Sequence, residues 1–111
     1  MHKEPAIYIM MNQTLTTIYI GVTSNLEQRV LQHKSGVGSK FTSKYLCSLL
    51  IYFEKFQTMT DAIDREKQLK NWKREWKLNL IKTLNPDLID LAKDWFDDEA
   101  IEGCRKDFEQ P

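Results

Sequence analysis

The sequence predicts a small α/β domain, a β-hairpin and one further strand covered by helices. Three observations predict it. Ile-Tyr-Ile occurs twice, at 7–9 and 18–20, in two β-favouring runs separated by polar residues. The most apolar run of the chain, LCSLLIYFE at 46–54, has the length and the aromatic and β-branched content of a third strand. Beyond it, helical spacing and capping residues take over. A chain of 111 residues suits one domain with one real core.

Residues 5–11 and 17–23 form the expected hairpin, joined through Asn12, Gln13 and Thr14. Side chains alternate faces along a strand, so Tyr8 opposes Ile7 and Ile9, and Tyr19 opposes Ile18 and Ile20. The isoleucine face is expected to be core. The tyrosine face is expected to be half open, with two hydroxyls converging. Gly21 follows the second run, and its missing Cβ permits close approach of a helix or a ligand. Ser24 with Glu27 makes a capping-box pattern that starts a helix at 25 and carries it to about 33 or 34. Gly36 and Gly38 stop it, and residues 35–44 read as a mobile loop.

Residues 46–54 are expected to be a central, buried strand. Thr60, with Asp61 and Asp64 in the following turn, caps a helix running to about Lys73. A further helix to about residue 83 ends before Asn85-Pro86. Residues 86–98 read as a short amphipathic helix opening on proline, and the last dozen as a fraying end.

Hydrophobic residues make up 41% and charged residues 29%, the balance of an ordinary soluble domain. No apolar run approaches 18 residues, so no transmembrane helix is expected, and the N-terminus lacks a signal-peptide apolar region. Cys47 and Cys104 make neither a metal spacing nor a disulfide framework, which points to the cytoplasm. The net charge of zero hides a segregation. Residues 1–86 hold 13 Lys and Arg against 7 Asp and Glu, and residues 87–111 hold 3 against 9. The basic part suits a polyanion; the acidic part suits a tail that contacts a partner.

Arg29 and His33 lie four apart on one helix face, offering a phosphate fork and a group for proton transfer. On a helix counted from Ala62, Glu66 falls about 40° away, within or beside the apolar stripe. A carboxylate there needs an ion pair, with Lys70 as the candidate, or a metal ion. Lys67, Lys70, Arg74 and Lys77 recur at three- and four-residue spacing as one basic stripe, interleaved with Trp72 and Trp76. Such a stripe suits nucleic acid, and Trp at that spacing also suits core packing.

The segments AIYIM at 6–10, YIGVTSNLEQRVLQHKSG at 19–36, TDAIDREKQLKNWKREWKLNLI at 60–81 and NPDLIDL at 85–91 together resemble the GIY-YIG nuclease superfamily. The likeness is to small stand-alone bacterial members related to the nuclease domain of the excision-repair incision subunit. It covers about residues 5–92, and the one departure is Ala6 where the first motif usually has glycine. The resemblance implies a three-stranded antiparallel sheet flanked by helices, with a nuclease domain at 1–92 and an acidic, partly helical tail at 93–111. It implies a divalent-metal-dependent endonuclease that hydrolyses DNA, in repair or recombination. Tyr8 matches the general base, Tyr19 the residue that positions water or phosphate, Arg29 the phosphate-charge stabiliser and His33 a histidine near the reacting groups. Glu66 matches the carboxylate for one Mg²⁺ or Mn²⁺, and Asn79 or Asn85 the asparagine some members carry. DNA contacts are expected from Lys34, Lys40, Lys44, Lys67, Lys70, Arg74 and Lys77. The rival is a non-cleaving nucleic-acid-binding module.

Overall fold

A computed structural model describes residues 4–109. Strands β1 (Ala6–Met11) and β2 (Ile18–Thr23) form the hairpin. Helices α1 (Leu26–Lys34) and α2 (Lys40–Tyr45) precede strand β3 (Leu49–Lys55). Helices α3 (Met59–Lys70), α4 (Arg74–Leu84) and α5 (Asp98–Glu109) follow. The sheet is antiparallel with order β2-β1-β3, which is the predicted three-stranded α/β architecture.

The central strand is β1, not the 46–54 run, and β3 takes an edge. All six β1 residues are buried, because AIYIMM is apolar on both faces. Ile7, Ile9 and Met11 pack with Ile20 and Ile51, beneath Ala62 and Leu69 of α3 and Ile81 of α4. Ala6, Tyr8 and Met10 pack on the opposite face with Leu50, beneath Leu26 and Val30 of α1. Helices thus cover both faces, and the expected half-open tyrosine face is a second core in which Tyr8 is 1% exposed. Each fully buried side chain of this size contributes about 1.5–3 kcal/mol relative to exposure.

Local chemistry sets the connections. Asn12 organises the hairpin loop: its Oδ1 accepts from the amides of Thr16 and Thr17, and its Nδ2 donates to the Thr16 hydroxyl. Helix α1 is capped by Asn25, whose side chain accepts from the Gln28 amide, so Asn25 displaces Ser24 from the expected capping box. Thr58 rather than Thr60 caps α3, accepting from the Asp61 amide. The expected mobile loop contains α2, because Ser39 caps Thr42 through both backbone and hydroxyl. Helix α3 stops at Lys70, and α4 begins at Arg74. The Lys67–Lys77 stripe therefore spans two helices and a turn, not one helix face.

Residues 86–98 do not form the expected amphipathic helix; α5 starts at Asp98. The intervening chain covers the free edge of β3 instead. Asn85 Nδ2 donates to the carbonyls of Ile51 and Ile89, and its Oδ1 accepts from the Ile89 amide. The Leu91 amide donates to Leu50 O, while Asp90 Oδ1 accepts from the Leu50 amide. An edge strand left bare invites pairing with other chains, and this strap occupies its groups. The end of the chain is helical to Glu109, and α5 packs on α1, with Arg105 Nε donating to Ser35 O. Gln110 and Pro111 lie outside the described residues. Cys47 and Cys104 are free thiols, and no helix among the described residues is long and apolar enough to cross a membrane.

Candidate active site

The centre of the site is a hydrogen-bonded chain inside the α1 face of the sheet. Tyr8 stands in the middle of the central strand, opposite Gly21 on β2 and Phe53 on β3. Its ring crosses over Gly21: a Cβ built there would lie 2.4 Å from the Tyr8 hydroxyl and 2.5 Å from Cζ. Gly21 is thus explained by the residue it faces. Its bare Cα leaves the slot that the Tyr8 ring fills. Tyr19 pairs with Met10, two residues along, which sets the two tyrosine rings diagonally with centroids 6.2 Å apart.

The Tyr8 hydroxyl lies 2.8 Å from His33 Nε2, and His33 Nδ1 lies 2.9 Å from Thr42 Oγ1. The Thr42 hydroxyl in turn meets Ser39 Oγ at 2.8 Å. Gly38 passes beneath the imidazole so closely that a Cβ there would sit 2.2 Å from Nδ1. His33 is 3% exposed, and burial lowers its pKa to about 4, with the Arg29 cation acting in the same direction. It is therefore neutral at pH 7. Burial and the neighbouring Tyr19 push the Tyr8 phenol far up, outweighing the opposing pull of Arg29. Arg29 is half-buried on α1, one turn before His33, and its Nη1 donates to Gln32 Oε1. Tyr19 is also half-buried and packs against His33 with centroids 5.4 Å apart.

Tyr8, Tyr19 and His33 thus form one cluster, and Arg29 acts on it through its charge. Thr42, Ser39 and Gly38 complete the cluster and escaped the sequence reading. The signal was present as Ser and Thr three apart, the spacing of a helix cap, starting six residues after the histidine.

Glu66 sits apart from this cluster. It is half-buried on α3, which packs against β1 and β2 from the isoleucine side, and it pairs with exposed Lys70 at 3.2 Å. Among the described residues no hydrogen bond joins it to the tyrosines, and no three His, Cys, Asp or Glu groups gather as a metal cage. A single carboxylate is compatible with a hard divalent ion that keeps several waters and needs one or two protein carboxylates. The residue before it, Arg65, is committed to structure. It forks onto Glu54 with both contacts at 3.0 Å, and the Tyr52 hydroxyl donates to the same carboxylate.

The basic candidates separate by exposure. Lys40, Lys44, Lys67, Lys70 and Arg74 are exposed, and Lys77 is half-buried. Lys34 is engaged inside the protein: its ammonium pairs with Asp90 and donates to Ser48 O, with the two charged side chains only 12% and 14% exposed. Trp72 packs partly into the core under the Arg65 guanidinium, and Trp76 is largely exposed beside Lys73. Asn85 has its amide consumed by the strap over β3, whereas Asn79 is exposed.

The family model described as the GIY-YIG catalytic domain matches residues 4–79. The UPF0213 protein of Staphylococcus haemolyticus is 35% identical over 66 residues, 60% of this chain and 80% of the relative. That of Clostridium perfringens is 39% identical over 67 residues, 60% and 72% respectively. That of Pediococcus pentosaceus is 39% identical over 75 residues, 68% and 79%. No solved structure matches the chain.

Proposed function

This chain belongs to the GIY-YIG catalytic domain family, a nuclease superfamily, and on that premise we propose that it is a divalent-metal-dependent DNA endonuclease. The observation that carries the reading is the buried Tyr8–His33 hydrogen bond, made to a neutral imidazole. A phenol whose pKa is raised does not ionise at pH 7 and is a poor base by itself. Coupled to His33 it needs no prior ionisation. As Tyr8 takes a proton from the attacking water, its own proton passes to Nε2, and Nδ1–H stays hydrogen-bonded to Thr42.

Both ring nitrogens of His33 are engaged, so His33 works through Tyr8 and does not touch substrate. Tyr19 and Arg29 are the more accessible members, suited to hold the water and the scissile phosphate. The Arg29 guanidinium opposes the charge that grows on the phosphoryl oxygens. Glu66 is the residue proposed to hold one Mg²⁺ or Mn²⁺, which would supply positive charge for a phosphate. Its ion pair with Lys70 would keep the carboxylate oriented until then. DNA is proposed to be gathered by Lys40, Lys44, Lys67, Lys70, Arg74 and Lys77, in a DNA repair or recombination setting in the cytoplasm. The acidic segment from 93 onward is proposed to meet a protein partner.

Plasmid, nicked and branched DNA incubated with Mg²⁺ or Mn²⁺ tests the reading. Wild type is expected to cleave, and EDTA or Glu66→Gln to abolish cleavage while DNA binding persists. Equal cleavage by Glu66→Gln, or cleavage in EDTA, would remove the metal assignment. Binding without cleavage by wild type would leave a binding module.

A further inference from the structure

We propose that α2 is a stacking platform for unpaired bases of the DNA strand, beside the tyrosine cluster; the nature of that strand rests on the nuclease reading. Aromatic rings step outward from the site. Tyr8 and Tyr19 lie 6.2 Å apart, Tyr19 and Phe41 lie 5.7 Å apart at 30°, and Phe41 and Tyr45 lie 4.8 Å apart. Exposure rises along the series, from 1% at Tyr8 to 42% at both Phe41 and Tyr45. Nothing within the described chain uses the outer two rings as core: neither belongs to either buried cluster.

The next residue adds to the pattern. Leu46 ends α2 with φ +56° and is 73% exposed. That left-handed position usually takes Gly or Asn, and a leucine there is strained and exposes a large apolar surface. Packing among the described residues does not account for three adjoining apolar or aromatic groups left in water.

Charge selects the occupant. KFTSKY places exposed Lys40 and Lys44 around the rings, α2 contains no acid, and Lys44 Nζ lies 5.3 Å from the Tyr45 ring centroid. Alternating cations and exposed rings fit phosphates and unstacked bases, whereas an apolar peptide has no use for the cations. A cavity of about 490 Å³ opens alongside, lined among others by Asn12, Thr14, Ser43, Tyr45 and Leu46. Its size is that of a small-molecule site, and its hydroxyls and amide suit a nucleoside. Bases in a duplex stack on each other and cannot present their faces to these rings, so the platform favours DNA with an unpaired segment next to the cut.

The test is binding in EDTA, where no cleavage occurs, to a fluorescein-labelled 15-mer of thymidylate and to a blunt duplex. The double variant Phe41→Ala/Tyr45→Ala is expected to bind the 15-mer at least about tenfold more weakly, with the duplex changed less than about twofold. Lys40→Gln/Lys44→Gln should lower the salt slope for the 15-mer by about 1.4, the share of two phosphates. Circular dichroism and thermal melting establish that each variant is folded. Unchanged 15-mer affinity in folded Phe41→Ala/Tyr45→Ala overturns the platform, as does a wild type that binds no 15-mer. It is equally overturned if sedimentation finds a wild-type dimer that this variant dissociates, since a second copy then covers the face. Wild type that binds through the platform yet never cleaves with Mg²⁺ or Mn²⁺ sustains this inference and sinks the nuclease reading.

Discussion

Gly21→Ala perturbs the site at its tightest point. The added Cβ would lie 2.4 Å from the Tyr8 hydroxyl and 2.8 Å from Cε1, where ordinary contact begins at 3.4 Å. The Tyr8 ring must then move by about 1 Å, in a site that is 1% exposed and packed as a core. A shift of that size stretches the 2.8 Å bond to His33 beyond hydrogen-bond range. Overpacking costs about 1–3 kcal/mol, and a buried pair left unsatisfied costs about 1–3 kcal/mol more. The expected destabilisation is therefore about 2–6 kcal/mol, read as a lowered urea midpoint at unchanged slope. In a Tyr8→Ala background the slot is empty, so Gly21→Ala should cost less than about 0.5 kcal/mol. Two results refute the reasoning: a wild-type midpoint for Gly21→Ala, or an equal penalty in both backgrounds, which would locate the cost in the strand backbone.

Further predictions concern pH and the strap. Folding holds the His33 pKa at about 4 against an ordinary 6.5, so the unfolded chain binds the proton more readily between those values. Stability contributed by neutral His33 is therefore full above about pH 6.5 and lost as pH falls toward 4, by about 3 kcal/mol. Urea melts across that window should show the slope, and His33→Gln should flatten it; an unchanged slope in the variant would place the effect elsewhere. Asn85→Ala removes three side-chain hydrogen bonds under the strap and should cost about 2–4 kcal/mol. Amide exchange should then rise first along β3; protection lost uniformly across the sheet would contradict a local role.

Much of the site was legible because strand alternation and helix spacing are strictly local rules. Tyr8 and Tyr19 share a face if the hairpin pairs in near register, and Arg29 and His33 had to share one on α1. Burial was not legible. The same alternation that grouped the tyrosines could not tell that α1 would close over them, since that depends on where the helix returns. Sheet order was misread for a related reason: β1 and β3 are both apolar, and the strap from Asn85 to Ala92 lets the second serve as an edge. The strap looked like a helix because PDLIDLAK carries helical spacing, yet Asn85 and Asp90 bind backbone groups of β3 more specifically than a helix would. Helix α2 was hidden by two glycines that have other duties. Gly36 takes φ +79°, and Gly38 makes room for the imidazole.

Single-turnover cleavage of end-labelled DNA by wild type and Tyr8→Phe measures the central claim most directly. Phenylalanine keeps the ring over Gly21 and removes only the hydroxyl that bridges to His33. The account predicts a loss of at least about a hundredfold in the cleavage step, with DNA affinity unchanged. A Tyr8→Phe protein that cleaves at the wild-type rate would contradict it.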